Sequence, residues 1–166
     1  MAKILLVGAP GIAGVPNEVI EWLRAYGVQG HEFILGDTKT GDAKFHRTLS
    51  SLGLIDKSTI YTMNTVVENP YDLPIKKFNT LYDADTKQVL IEEDGNPDDT
   101  GYVISGVEKE MDIEHNREWY EFRDKRLIND CVMAILVLNT GEQTKRVQSM
   151  IMGLNIRNKP CYTFMI

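Results

Sequence analysis

The sequence predicts an α/β domain: a doubly wound, mostly parallel sheet of about five strands with a β-hairpin insertion. Three observations predict it. Two continuous apolar runs, KILLVG at 3–8 and CVMAILVL at 131–138, read as strands covered on both faces, as parallel strands are. Strand-like runs alternate with stretches of helical spacing, which implies right-handed crossovers. The 166 residues form one domain, 43% hydrophobic and 25% charged, enough to bury a core without staples.

The elements follow in order. After KILLVG, residues 16–26 carry Val19, Ile20 and Leu23 on one face, and Gly27 ends the helix. HEFIL (31–35) is a short strand. Residues 42–52 form a second helix with Phe45, Leu49 and Leu52 on one stripe, and STIYTM (58–63) is a third strand. Residues 64–114 break the rhythm with Pro70, Pro74 and Pro97, and read as an insertion. Within it, Leu81-Tyr82 and residues 89–91 flank the turn DADTKQ as a hairpin, and GNPDDTG (95–101) is a second turn-rich segment. Residues 114–130 return to helix, CVMAILVL follows, residues 142–154 form the last helix, and CYTFMI (161–166) closes as a strand. The whole chain, 1–166, is expected to be a single domain.

Composition narrows the function. Lys and Arg number 18 against 24 Asp and Glu, a formal charge of −6 with pI near 5.1, which argues against broad nucleic-acid binding. Neither a signal peptide nor a run of about 20 apolar residues is present, so a cytoplasmic protein with no membrane partner is expected. The two cysteines, Cys131 and Cys161, show no metal-ligand spacing and read as buried reduced thiols. No metal and no cofactor is expected.

Three strand-to-helix junctions carry unusual residues, and in open α/β sheets such junctions converge on the ligand edge. The first is GAPGIAG, with Gly8 and Gly11. A glycine-rich turn before a helix lets backbone amides approach a phosphate, although the spacing is neither GxGxxG nor a P-loop. The second, GDTKTGDAKFH, offers Gly36, Asp37 as an acceptor from ribose hydroxyls, Lys39 to face an anion, Gly41 for close approach, and Asp42 as a cap. The third is NTGEQT, where Thr140 or Gly141 is placed to cap the last helix, with Glu142 in its first turn and Thr144 beyond. A polar helix, HNREWYEFRDKR, adds Arg123 and Asp124 among aromatic residues.

The GDxxxGDAxFH segment after the second strand, and the late WYxxRDxxxxxD helix before an apolar strand and a Thr-containing turn, resemble the SLOG superfamily. The resemblance covers 1–63 and 114–166. It implies a Rossmann-like domain that binds nucleotides or nucleotide-derived ligands, with homo-oligomers common. By position, Gly8 and Gly11 would line the first loop, and Gly36, Asp37, Gly41 and Asp42 the second. Arg123 and Asp124 would reach in from the late helix, and Thr140, Gly141 and Thr144 would close the last loop. The related LOG phosphoribohydrolases carry PGGxGTxxE there; this chain reads NTGEQTKRV, with Val147 at the glutamate position. In the similar nucleoside deoxyribosyltransferases a glutamate attacks the ribosyl carbon, for which Glu142 and Asp124 are the candidates here.

The leading expectation is therefore binding of a nucleotide-like small molecule at the three junctions, with Gly41→Val abolishing binding while sparing the fold. The alternatives are an N-glycosidic enzyme using Glu142 or Asp124, and a non-catalytic protein that grips a partner through 64–114.

Overall fold

The computed structural model describes residues 2–63, 67–83, 88–93, 96–98 and 117–166. The first strand, β1 (Lys3–Gly8), is followed by α1 (Asn17–Val28), β2 (Glu32–Leu35), α2 (Asp42–Ser51) and β3 (Ser58–Thr62). Then come β4 (Ile75–Asp83), β5 (Gln88–Glu93), β6 (Asn96–Asp98), α3 (Arg117–Asp130), β7 (Met133–Leu138), α4 (Lys145–Ile156) and β8 (Cys161–Met165). They form one sheet in the order β6-β5-β4-β3-β2-β1-β7-β8. The six strands from β4 to β8 in that order pair in parallel, while β5 and β6 add an antiparallel extension. This is the expected doubly wound, Rossmann-like α/β fold.

The apolar runs became the centre of the sheet for the expected reason. From Ile4 to Val7 and from Ala134 to Val137, exposure is 1% or less, because these strands are covered on both faces. Helix α1 buries Val19 and Leu23 and lays Trp22 edge-on against Tyr162 and Phe164 of β8, both at 5.2 Å. Helix α2 buries Phe45 and Leu49, and α3 packs against α4.

Several boundaries differ from expectation. The expected hairpin exists, with Tyr82 opposite Val89 and Leu81 opposite Leu90, but its first strand is longer and also joins the parallel sheet on β3. This supplies the sixth parallel strand. Asn96–Asp98, expected as a turn, pairs with β5. Residues 64–66, 84–87, 94–95 and 99–114 of this stretch, with the DADTKQ turn and the end of GNPDDTG, lie outside the described residues. The last helix begins at Lys145, not at residue 142, since Thr144 caps it. Among the described residues, no helix is long and apolar enough to cross a membrane.

Chain order sets the switch point of the sheet. From β1 the chain winds towards β2, and from β7 it winds the opposite way towards β8. The crevice between these diverging loops is the switch point of the sheet. Ala9 N donates to Val137 O at 2.9 Å, and Asn139 Nδ2 donates to Pro10 O, so the two loops are tied where they part.

Candidate functional site

Two of the glycine-rich junctions lie on each other. A Cβ at Gly41 would sit 1.9 Å from Gly8 O, and one at Gly8 would sit 2.4 Å from Gly41 O. Both positions require glycine because two backbones cross there, whatever else approaches. The expectation that Gly41→Val spares the fold is therefore corrected: its side chain would have to displace main chain.

The second junction also closes its own helix. Thr38 Oγ1 accepts from Asp42 N at 2.9 Å and Thr38 O accepts from Ala43 N at 3.1 Å. Asp42 is not the N-cap; Gly41 holds that position. The Asp42 carboxylate instead reaches back, with Oδ1 accepting from Gly8 N at 3.2 Å and Oδ2 from Thr38 N at 3.4 Å. The amides a bound anion would use at these two loops thus face a carboxylate and a threonine of the protein itself.

Asp42 belongs to a buried ionic knot that joins α2, α3, α4 and the end of β2. Arg123 Nη1 donates to Asp37 Oδ1 at 2.8 Å and its Nε to Asp124 Oδ1 at 3.1 Å. Arg146 Nε donates to Asp124 Oδ2 at 3.0 Å, and its Nη2 to Asp42 Oδ2 at 3.3 Å. Thr62 Oγ1 holds the other oxygen of Asp37 at 2.7 Å. The side chains of these five ionic residues are at most 12% exposed. Gly36 makes room for them, since a Cβ there would lie 2.7 Å from Asp42 Oδ2 and 3.2 Å from Arg123 Cζ. Next to the knot, the His46 Nε2–H donates to Gly36 O at 3.0 Å, fixing the tautomer.

The electrostatics follow from this packing. Burial pushes the Asp42 carboxyl up, but Arg146, Arg123 and the Gly8 amide together outweigh it and hold the group below its ordinary value. Burial likewise disfavours the Arg146 cation, and Asp124 and Asp42 outweigh it, so the guanidinium stays charged. One donor is left over. Arg123 Nη2 is buried with no hydrogen-bond partner; Asp124 Oδ1, 3.1 Å away, offers charge but no bond in line. Leaving such a donor unsatisfied costs on the order of 1–3 kcal/mol.

A cleft of about 260 Å³ opens beside the knot at the switch point. Pro10 comes from the loop after β1, Thr38 and Thr40 from that after β2, and Thr144 and Lys145 from the start of α4. Tyr120, Arg123 and Arg146 complete the lining. Of the residues singled out in the sequence, Arg123 and Thr144 therefore border the cleft. Asp37, Asp42 and Asp124 belong to the knot, and Gly8, Gly36 and Gly41 are packed against main chain or against the knot and do not line the cleft.

Others lie elsewhere. Lys39 borders a separate cavity of about 80 Å³ with Asp37, His46 and Tyr71. Gly11 is exposed and takes φ +83°, which explains the glycine. Thr140, Gly141 and Glu142 are exposed on the loop before α4. The expected caps are corrected: Thr144 Oγ1, not Thr140 or Gly141, accepts from Val147 N at 3.3 Å, and Glu142 lies outside the first turn.

Sequence reasoning missed Arg146, Thr38, Thr40 and Lys145, while Tyr120 belongs to the aromatic cluster of the late helix that the sequence singles out. For Arg146 a signal existed: a cation in the first turn of a helix opposes the helix dipole and needs a carboxylate partner. The thiols behave as ordinary buried sulfur, with Cys131 pushed up to about 11 by burial and Cys161 only partly buried. Among the described residues, no group of three or more His, Cys, Asp or Glu could hold a metal ion. Comparison of the chain with protein-family models, with curated proteins and with solved structures finds no match in any of the three.

Proposed function

We propose that the protein binds a nucleotide or nucleotide-derived small molecule in the cleft between the β1, β2 and β7 loops. The observation that carries this reading is the cleft's position at the switch point of a parallel sheet, where ligands of open α/β domains sit. Its chemistry agrees. Thr38, Thr40 and Thr144 offer hydroxyls for a sugar, and Tyr120 offers a ring for a base. Its 260 Å³ lies just below the roughly 300–1,000 Å³ of small-molecule pockets, which suits one nucleoside unit and not a dinucleotide. The SLOG resemblance points to the same ligand class.

Binding fits the side chains better than N-glycosidic cleavage. None of the described residues lining the cleft is a carboxylate. Both oxygens of Asp124 already accept from guanidiniums, and Glu142, exposed on the loop before α4, is not among the residues that line the cleft. A glycosidic mechanism needs a carboxylate at the reacting carbon.

The test combines mass spectrometry of small molecules released from freshly purified protein with titration of a nucleoside and nucleotide panel. Thr40 is exposed, so Thr40→Trp fills the cleft without entering the core. It should weaken binding at least tenfold and leave the unfolding midpoint unchanged. No ligand released and no binding from the panel would overturn the reading.

A further inference from the structure

We propose that the cleft selects an uncharged nucleoside over its phosphorylated forms, and that the Asp42 carboxylate sets this selection. This rests on the reading of the cleft as a nucleotide-type site and goes further, by naming the ligand's charge and the group that excludes the alternative.

Asp42 fills from within the place an anion would take. Its Oδ1 accepts from Gly8 N at 3.2 Å, and its Oδ2 from Thr38 N at 3.4 Å and Arg146 Nη2 at 3.3 Å. Two main-chain amides and a guanidinium around one set of oxygens are the donors a phosphate asks of a protein. Here a carboxylate of the chain itself receives them. It is fully buried, and its own amide is held by Thr38 Oγ1 at 2.9 Å, which anchors it at the start of α2. Thr38 and Arg146 both line the cleft, so Asp42 stands one hydrogen bond behind two of its walls.

The remaining positive charge is committed in the same way. Arg123 gives Nη1 to Asp37 and Nε to Asp124, and Arg146 gives Nε to Asp124. Three carboxylates therefore face two guanidiniums, an excess of one negative charge that the exposed Lys145 of the lining offsets. A phosphate entering the cleft would give up its water without a surplus of positive charge to receive it, and would approach Asp42. The other polar groups of the lining are uncharged. The hydroxyls of Thr38, Thr40 and Thr144 suit a sugar, and the Tyr120 ring suits a base.

The probes are the four common nucleosides and their 5′-monophosphates, titrated into the full chain by calorimetry at low and at high salt. At least one nucleoside should bind about tenfold tighter than its monophosphate at low salt, and the gap should narrow at high salt as the repulsion is screened. Asp42→Asn keeps an oxygen for the Gly8 amide and removes the charge. It should shrink the preference for the nucleoside by about fivefold or more, a change in ratio that loss of packing alone would not produce. An unchanged ratio would overturn the assignment to Asp42. The wild-type comparison decides the selection whether or not the variant folds. A monophosphate that binds wild type as tightly as its nucleoside, or a gap indifferent to salt, would overturn the selection by charge and spare the cleft as a nucleotide-type site. No binding by any probe would overturn both this inference and the function on which it rests.

Discussion

The junctions after β1 and β2 and the junction after β7 share one sheet edge and look alike in sequence, each a small glycine-bearing turn before a helix. Their physics differs. In the first pair the glycines are demanded by main chain: Gly8 and Gly41 cross so closely that neither position has space for a Cβ. In the last, a Cβ at Gly141 would meet nothing within 4 Å. The first pair is also chemically closed, its amides held by Asp42 and Thr38. The last is capped only by Thr144 and borders the cleft. A glycine-rich turn is thus a statement about close approach, and the approaching group can be another loop as readily as a phosphate.

The largest effect should come from breaking the crossing. Gly41→Ala puts a carbon 1.9 Å from Gly8 O, with backbone on both sides and no flexible side chain to yield. A loss above about 4 kcal/mol, or failure to fold, is expected in denaturant unfolding, where the total stability of such a domain is only about 5–15 kcal/mol. A loss under about 1 kcal/mol would show that the two loops separate easily, and the contrast between junctions would fall.

Breaking the knot comes next. Arg146→Met removes the cation shared by Asp124 and Asp42 and leaves two buried carboxylates short of charge. A cost of about 3–5 kcal/mol is expected at pH 7. The same pairing sets the response to acid. The Asp42 carboxyl is held below its ordinary value in the folded state, so the unfolded chain binds its proton more readily. Its contribution is complete above the unfolded value of about 3.9 and is lost as pH falls through the folded one. Unfolding midpoints of the wild type should therefore drop steeply below about pH 4, and those of Asp42→Asn should drop less. Parallel acid profiles for the two proteins would show that Asp42 does not drive this response.

How much of this was legible depended on distance along the chain. Apolar runs and helical spacing are local, and they located β1, β7, α1 and α2 to within a few residues. Helix α3 lacks a clean apolar stripe because Arg123 and Asp124 occupy the face it turns inward, between Phe122 and Leu127. Its charged pair drew attention for ligand chemistry, yet its partners are Asp37, 86 positions away from Arg123, and Arg146, 22 away from Asp124. Arg146 meets Asp42 across 104 positions. Such pairings leave no mark in local composition. The start of α4 was misjudged for a local reason: Thr140, Gly141 and Thr144 are all acceptable before a helix, and only the fold chooses among them.

The smallest effects test the open junction. Thr144→Ala removes the hydroxyl that accepts from Val147 N at 3.3 Å, and should cost about 1 kcal/mol. Gly141→Ala adds a methyl where there is room and no positive φ, so it should stay within about 0.5 kcal/mol of wild type or gain slightly from a stiffer unfolded chain. The pair isolates what this loop needs. If Thr144→Ala costs nothing, the α4 cap is not what orders the cleft wall. If Gly141→Ala costs as much as a core substitution, the loop is packed against something, and the distinction from the β1 and β2 junctions disappears. The expected pattern, a modest loss at Thr144 and none at Gly141, would leave a helix start ordered by its cap alone, in contrast to the main-chain crossing that orders the β1 and β2 junctions.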